Sequence, residues 1–188
     1  AASVTRRYLD GGFELVSRWE TPTGVVEVHD VMPMSSHRTD IVRRVVGIAG
    51  DVELRTELRL HFDYARTYPW VRQVGDAHPA LRATAGPSAV LVRGARLVAE
   101  GRAHVAQLRV AEGETRDLVL TWFRSHEQPP PALDADAALA VTRSWWGDWS
   151  ARIEHDGPHA AHVARSLLVL RALTNRDTGG IVAAATTS

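Results

Sequence analysis

"VELRTELRLHFDY", residues 52–64, decides the fold class. Val52, Leu54, Leu58, Leu60, Phe62 and Tyr64 fall on one side of an extended chain, with Thr56 the one polar interruption. Glu53, Arg55, Glu57, Arg59, His61 and Asp63 fall on the other. Side chains in a strand alternate between faces, so this pattern predicts a half-buried antiparallel strand. It is too long for a small sheet and points to a large sandwich.

Shorter strands are expected on either side. Residues 13–19 and 25–32 are separated by "ETPTG", a turn with Pro and Gly. Residues 41–48 follow, and Ala49-Gly50-Asp51 reads as a turn into the long strand. Beyond it come 89–93, 96–100, 103–110 and 117–125, broken at Gly94, Gly101 and Gly113. Short strands with glycine turns at near-regular spacing indicate an all-β sandwich.

The texture changes at Gln128-Pro129-Pro130-Pro131, which cannot continue a central strand and favours an extended spacer. Asp134 or Asp136 then suits a helix N-cap. Leu139, Thr142, Trp146, Trp149 and Ile153 form one helical stripe. Gly157-Pro158 interrupts the chain, with Pro158 placed for the first turn of another helix. Val163, Leu167, Leu170 and Leu173 form the second stripe, ended by Gly179-Gly180.

Composition narrows the partners. Formal net charge is zero, so nothing steers the chain toward nucleic acid or an anionic membrane. All cationic side chains are Arg, in short pairs such as Arg6-Arg7 and Arg43-Arg44. A GC-rich genome explains them without an anion site. There is no Cys, which excludes disulfides and thiolate chemistry but leaves the compartment open. No stretch has the length and apolarity of a membrane span.

Few residues invite chemistry. His155, His159 and His162 could approach one another, but Gly157-Pro158 divides them and no HExxH glutamate is present, so they read as solvated helix-start histidines. Trp145, Trp146 and Trp149 could stack on a sugar. Trp146 and Trp149 lie on the apolar stripe and read as core, and Trp145 as a contact to another domain. His29 with Asp30, and Glu53, Glu57 and Asp63, are formal acid/base candidates. The last three sit among Arg residues and read as a cross-strand charge ladder. Gly179-Gly180 lacks the Lys and spacing of a phosphate loop.

The tail adds a likeness. "RSLLVLRALTNRDTGGIVAAATTS" resembles the entry to the catalytic barrel of glycoside hydrolase family 15, which contains glucoamylases, glucodextranases and bacterial trehalases. The family pattern S-A-L-x-L-K-A-L, T-Y, T-G-A-I-V-A-A-P-T-T-S is matched at Ser166, Leu167, Leu170, Ala172, Leu173 and Thr174. It is matched again at Thr178, Gly179, Ile181, Val182, Ala183, Ala184, Thr186, Thr187 and Ser188. Arg171, Asn175, Asp177, Gly180 and Ala185 depart from it. "RRYLDGGFELVSRWETPTGVVEVHDVMP" and "IVRRVVGIAGDVELRTELRLHFDYAR" are similar to two further family segments, and Thr142, Trp146 and Trp149 match its linker helix.

The resemblance implies a β-supersandwich, a linker helix and the first helix of an (α/α)6 barrel. The expected division is a β-sandwich over 1–128, a Pro-rich linker and helix over 129–156, and the truncated start of the barrel over 157–188. An earlier family segment, before the R-R-Y strand, is expected to be missing. The family inverts configuration with two glutamates that lie far downstream, so no catalytic residue is carried over. Thr186, Thr187 and Ser188 only lead toward the substrate-binding rim. The implied function is a non-catalytic domain fragment of an α-glucoside hydrolase acting on trehalose or α-glucan substrates. Its partners would be the barrel of the same chain, carbohydrate reached through that barrel, and in an assembled form a second copy. No cofactor or metal, nucleic acid or membrane is expected. A bacterial, cytoplasmic setting is implied, with secretion also open. The alternative is a free-standing carbohydrate-binding or oligomerisation sandwich using exposed aromatics such as Trp19, Trp70 or Trp122.

Overall fold

The computed structural model describes residues 2–35, 37–75 and 79–185. Among them the strands are β1 Ser3–Tyr8, β2 Leu15–Thr21, β3 Gly24–Val31, β4 Thr39–Leu58, β5 Trp70–Val74, β6 Ala80–Ala85, β7 Ser88–Arg93, β8 Val98–Glu100, β9 Ala103–Ala111 and β10 Thr115–Arg124. The helices are α1 Ala135–Ser150 and α2 Ala160–Ala172. The chain is mainly antiparallel β-structure followed by two helices, the fold class the sequence predicts.

The quoted stretch belongs to a longer strand than its pattern suggests. Ala49-Gly50-Asp51 is not a turn. β4 runs through it and changes partners there. Its first half lies between β3 and β10, and its second half pairs with β9. Two features bend it. The register with β3 slips between Val25 and Val26, so β4 carries an extra residue. Gly50 then adopts φ +65°, where a Cβ would collide with the Thr23 carbonyl oxygen. A bulge beside a left-handed glycine is the local means of sending one strand into two sheets.

The strand also stops short of Tyr64. Leu58 is the last residue in register, opposite His104, and β9 begins one residue away at Ala103. Without a partner the alternation has no ladder to follow. The chain turns at Asp63, Tyr64 and Ala65, all with positive φ, closed by a bridge between Phe62 and Thr67. Two strands go beyond the sequence reading. β5 is short, with Arg72 and Gln73 between its Trp and Val residues, and β6 alternates Leu81, Ala83 and Ala85 with Arg82 and Thr84, where the small Ala side chains give a weak strand signal.

The larger layer runs β1-β2-β3-β4-β10-β7-β6-β5, and the smaller is the second half of β4 with β9 and β8. Their inner faces meet in two clusters. Val26, Val28 and Val45 pack on Val52 and Val110. Leu81, Val90 and Val92 pack on Leu97 and Ala106. The opposite face of the larger layer carries α1, where Val31, Val42 and Val119 meet Ala135 and Leu139.

α1 begins at Asp134, whose carboxylate accepts from the Ala137 amide at 3.0 Å. That leaves Asp136 free to pair with Arg44 at 2.6 Å. Leu139, Thr142 and Trp146 are buried as the stripe predicts. Trp149 is only half-buried, and Ile153 lies past the end of the helix. Both line an open pocket of about 430 Å³ with Val163 and Leu167.

α2 departs further from its stripe. Leu168 is its one buried residue, while Leu170 is 48% exposed and Leu167 is also exposed. The helix is held by cations on aromatic rings instead. The Arg165 guanidinium lies 4.1 Å from the Tyr8 ring centroid and 4.6 Å from that of Phe13, and donates to the Gly12 carbonyl at 2.9 Å. Arg171 lies over Trp145 at 5.2 Å. Of the side that the spacing marks as apolar, Leu167 and Leu170 are therefore exposed, while Val163 and Leu173 are half-buried.

Candidate functional site

The acid/base candidates do not converge. His29 and Asp30 are neighbours in β3, so their side chains leave opposite faces of the sheet. Asp30 faces the smaller layer and accepts two hydrogen bonds from Arg43, at 2.7 and 3.0 Å. Glu57 accepts from Arg55 at 2.7 Å and Arg59 at 2.6 Å, and those bonds, Arg55 first, hold its carboxyl below the usual range. Such a group stays ionised and is a poor proton donor at neutral pH. Asp63 sits in the left-handed turn, away from the ladder, and Glu53 stands opposite Arg109.

The densest polar constellation lies under α1 and was not read from the sequence. Glu14 is 6% exposed and accepts two hydrogen bonds from Arg143, at 2.7 and 2.6 Å, and one from His29 Nδ1 at 2.6 Å. Burial alone would raise its pKa. The hydrogen bonds from Arg143 and then His29 outweigh this and bring it to about 2. The carboxylate is thus an acceptor only, and His29 presents a proton on Nδ1.

Asp40 is 2% exposed and is met by Arg38 Nε at 2.5 Å, Arg38 Nη2 at 2.9 Å and the Thr121 hydroxyl at 2.6 Å. Arg44 clasps Asp117 at 2.8 and 2.7 Å while reaching Asp136 on α1. Thr142 Oγ1 accepts from the Met34 amide at 2.9 Å. Arg93 and Arg38 donate to the carbonyls of Pro130 and Pro131, at 2.8 and 3.3 Å. These bonds fasten the linker and α1 to the sheet. One signal was readable: Asp40 alternates with Val42 on a strand face that must be buried. Glu14 and Arg143 are far apart in sequence, and only the fold joins them.

The remaining candidates are dispersed. The His159 and His162 rings lie 6.4 Å apart. No group of three metal-binding side chains occurs among the described residues. Trp146 makes edge contacts with Phe13 at 4.9 Å, Trp145 at 4.7 Å and Trp149 at 6.3 Å, an aromatic knot between α1 and the β1–β2 connection. Trp145 is half-buried beneath Arg171, within this chain. Trp19 is half-buried, Trp122 is 40% exposed and Trp70 is 87% exposed. Thr186, Thr187 and Ser188 lie outside the described residues. A cavity of about 590 Å³ opens where the sheet end, α1 and α2 meet, between Met32, Arg38, Trp146, Val169 and Leu173. No described helix is long and apolar enough to cross a membrane.

The site regions thus comprise a helix held on the sheet by ion pairs from exposed Arg143 and Asp136 to Glu14 and Arg44, and a second helix with Leu167 and Leu170 exposed. No family model matches the sequence. Among solved structures, a kojibiose phosphorylase candidate from the human microbiome covers 90% of this chain and 25% of its own, with a TM-score of 0.38 and 8% identity. Among curated proteins, the trehalase of Mycolicibacterium smegmatis is 30% identical over 211 aligned positions, covering 98% of this chain and 31% of that protein. The trehalase of Mycobacterium tuberculosis is 30% identical over 219 positions, covering 97% of this chain and 31% of that protein. The chain thus spans about a third of the length of the curated relatives it matches, and along nearly all of its own length it is similar to glycoside hydrolase-like proteins.

Proposed function

We propose that this chain is the non-catalytic β-domain, with its connecting helices, of a trehalase-like inverting α-glucoside hydrolase. The domain division follows the sequence: sandwich over 1–128, linker and helix over 129–156, and the start of an (α/α)6 barrel from 157. Its work is to pack on the catalytic unit and hold it rigid, and the unit reads trehalose or a related α-glucan. The observation that carries this reading is the 30% identity to two trehalases over nearly the whole chain. The outward apolar side of α2 supports it, because a helix with Leu167 and Leu170 in solvent suits further helices packed beside it.

The chemistry fits a supporting role. Inverting hydrolysis needs two carboxyls about 6.5–9.5 Å apart, one kept protonated near neutral pH. Glu14 and Glu57 are both shifted the other way, toward the ionised form. The test is to assay residues 1–188 on trehalose, maltose and p-nitrophenyl α-glucoside beside a longer protein extending past Ser188. Turnover is expected only from the longer form. Activity of 1–188 that persists through repurification and disappears in Asp30→Asn or Glu57→Gln would overturn the proposal. The same holds if the longer form cleaves none of these glycosides.

A further inference from the structure

At the far edge of the larger layer, β5 and β6 present a small platform on the face that also carries α1. Trp70 stands directly opposite Thr84, and Arg72 directly opposite Arg82. Together they border a shallow recess of about 300 Å³. Three features need a common cause. Trp70 is 87% exposed, on an edge strand where a bare indole invites unwanted association. Two like charges face each other across the ladder, which costs stability. Among the described residues no acid pairs with either guanidinium. Arg82 is held from below by the Ser125 carbonyl at 3.0 Å and by the Phe123 ring at 5.2 Å.

Edge protection by charge would account for Arg72 alone. It does not account for Trp70, which works against it. We propose that Trp70, Arg72, Arg82 and Thr84 form a binding site for an anionic carbohydrate. A sugar ring lies on the indole, and its phosphate or carboxylate sits between the two guanidiniums. The spacing suits this: residues two apart in a strand are separated by about 6.5 Å, so a pyranose over Trp70 projects an acidic substituent to the Arg pair. Arg82 is preorganised by its backbone and ring contacts, and Thr84 adds a hydroxyl beside the ring. The site is remote from the α2 surface and stands independently of the trehalase-like reading.

The test follows the Trp70 indole resonance of chain 1–188 by NMR, assigned with Trp70→Phe. The probes are glucose 6-phosphate, a glucuronate oligosaccharide, maltotriose and inorganic phosphate. Saturable shifts are expected with one or both acidic sugars, and the tighter one identifies the acid. Affinity should fall with added salt. Arg72→Gln and Trp70→Ala should each weaken binding by at least about tenfold, with circular dichroism unchanged. Maltotriose binding as tightly as the acidic sugars would remove the role of the Arg pair. Inorganic phosphate matching glucose 6-phosphate would remove the role of the ring. No saturable shift up to about 10 mM of either acidic sugar would overturn the site outright.

Discussion

α1 and α2 carry similar apolar patterns and meet different fates. In α1 the residues spaced by three and four are the ones buried, down to Leu139 at 1% exposure. In α2 the same spacing marks Leu167 and Leu170, which stay 37% and 48% exposed, while Leu168, Arg165 and Arg171 make the inward contacts. The difference lies in what surrounds each helix. α1 lies on a sheet that offers Val31, Val42 and Val119, with Glu14 and Arg44 placed to receive Arg143 and Asp136. α2 meets the rings of Tyr8 and Phe13 through Arg165 and that of Trp145 through Arg171, and guanidiniums suit aromatic faces. An amphipathic stripe states that a helix needs a partner. It does not state that the partner lies within the same stretch of chain.

The comparison breaks most readily at Trp146. It is buried against Phe13 and Trp145, so Trp146→Ala should cost about 3–5 kcal/mol in urea unfolding. Trp149→Ala, at a half-buried ring beside an open pocket, should cost markedly less. Equal losses would mean that the end of α1 is packed as tightly as its middle.

A second test sharpens the polar half of the contrast. The Glu14 pKa is lowered from 4.5 to about 2 in the folded chain. The unfolded chain therefore binds more protons between those values, and stability falls as pH drops through that window. The contribution is complete above about pH 5 and lost near pH 2. It amounts to about 2 kcal/mol, allowing for solvent around half-exposed Arg143. Glu14→Gln should be less stable than the parent at pH 7, and the gap should close as the pH falls toward 2. A gap that is constant across pH would show that the carboxylate charge contributes nothing to holding α1.

These residues also mark how far the sequence could be read. The alternation over 52–64 gives the β class, and the Pro run with Asp134 or Asp136 locates the helix start, which the structure places at Asp134. The bend within β4 was hidden because a bulge and a left-handed glycine look like a turn when the partner strands are unknown. β5 and β6 were hidden although they pair with each other and with β7, next in sequence, because the alternation of Leu81, Ala83 and Ala85 is carried mostly by small side chains, yet Ala83 is fully buried. The Glu14–Arg143–His29 cluster joins three elements, and no spacing rule reaches across them. Trp70 was legible as an exposed aromatic, but its opposite number Thr84 and the Arg72–Arg82 pair required the register.

The smallest effect tests the other side of the comparison. If the outward side of α2 has no partner within residues 1–188, then Leu170→Glu removes no packing. A surface change of that kind usually stays within about 0.5 kcal/mol, and glutamate keeps high helix propensity. Urea unfolding of the single variant, and of Leu167→Glu with Leu170→Glu together, should overlay the parent curve. The same pair should reduce self-association measured by sedimentation, because an exposed apolar side drives contact between copies. A loss of more than about 1 kcal/mol would show instead that α2 turns this side inward in solution, which would end the contrast with α1.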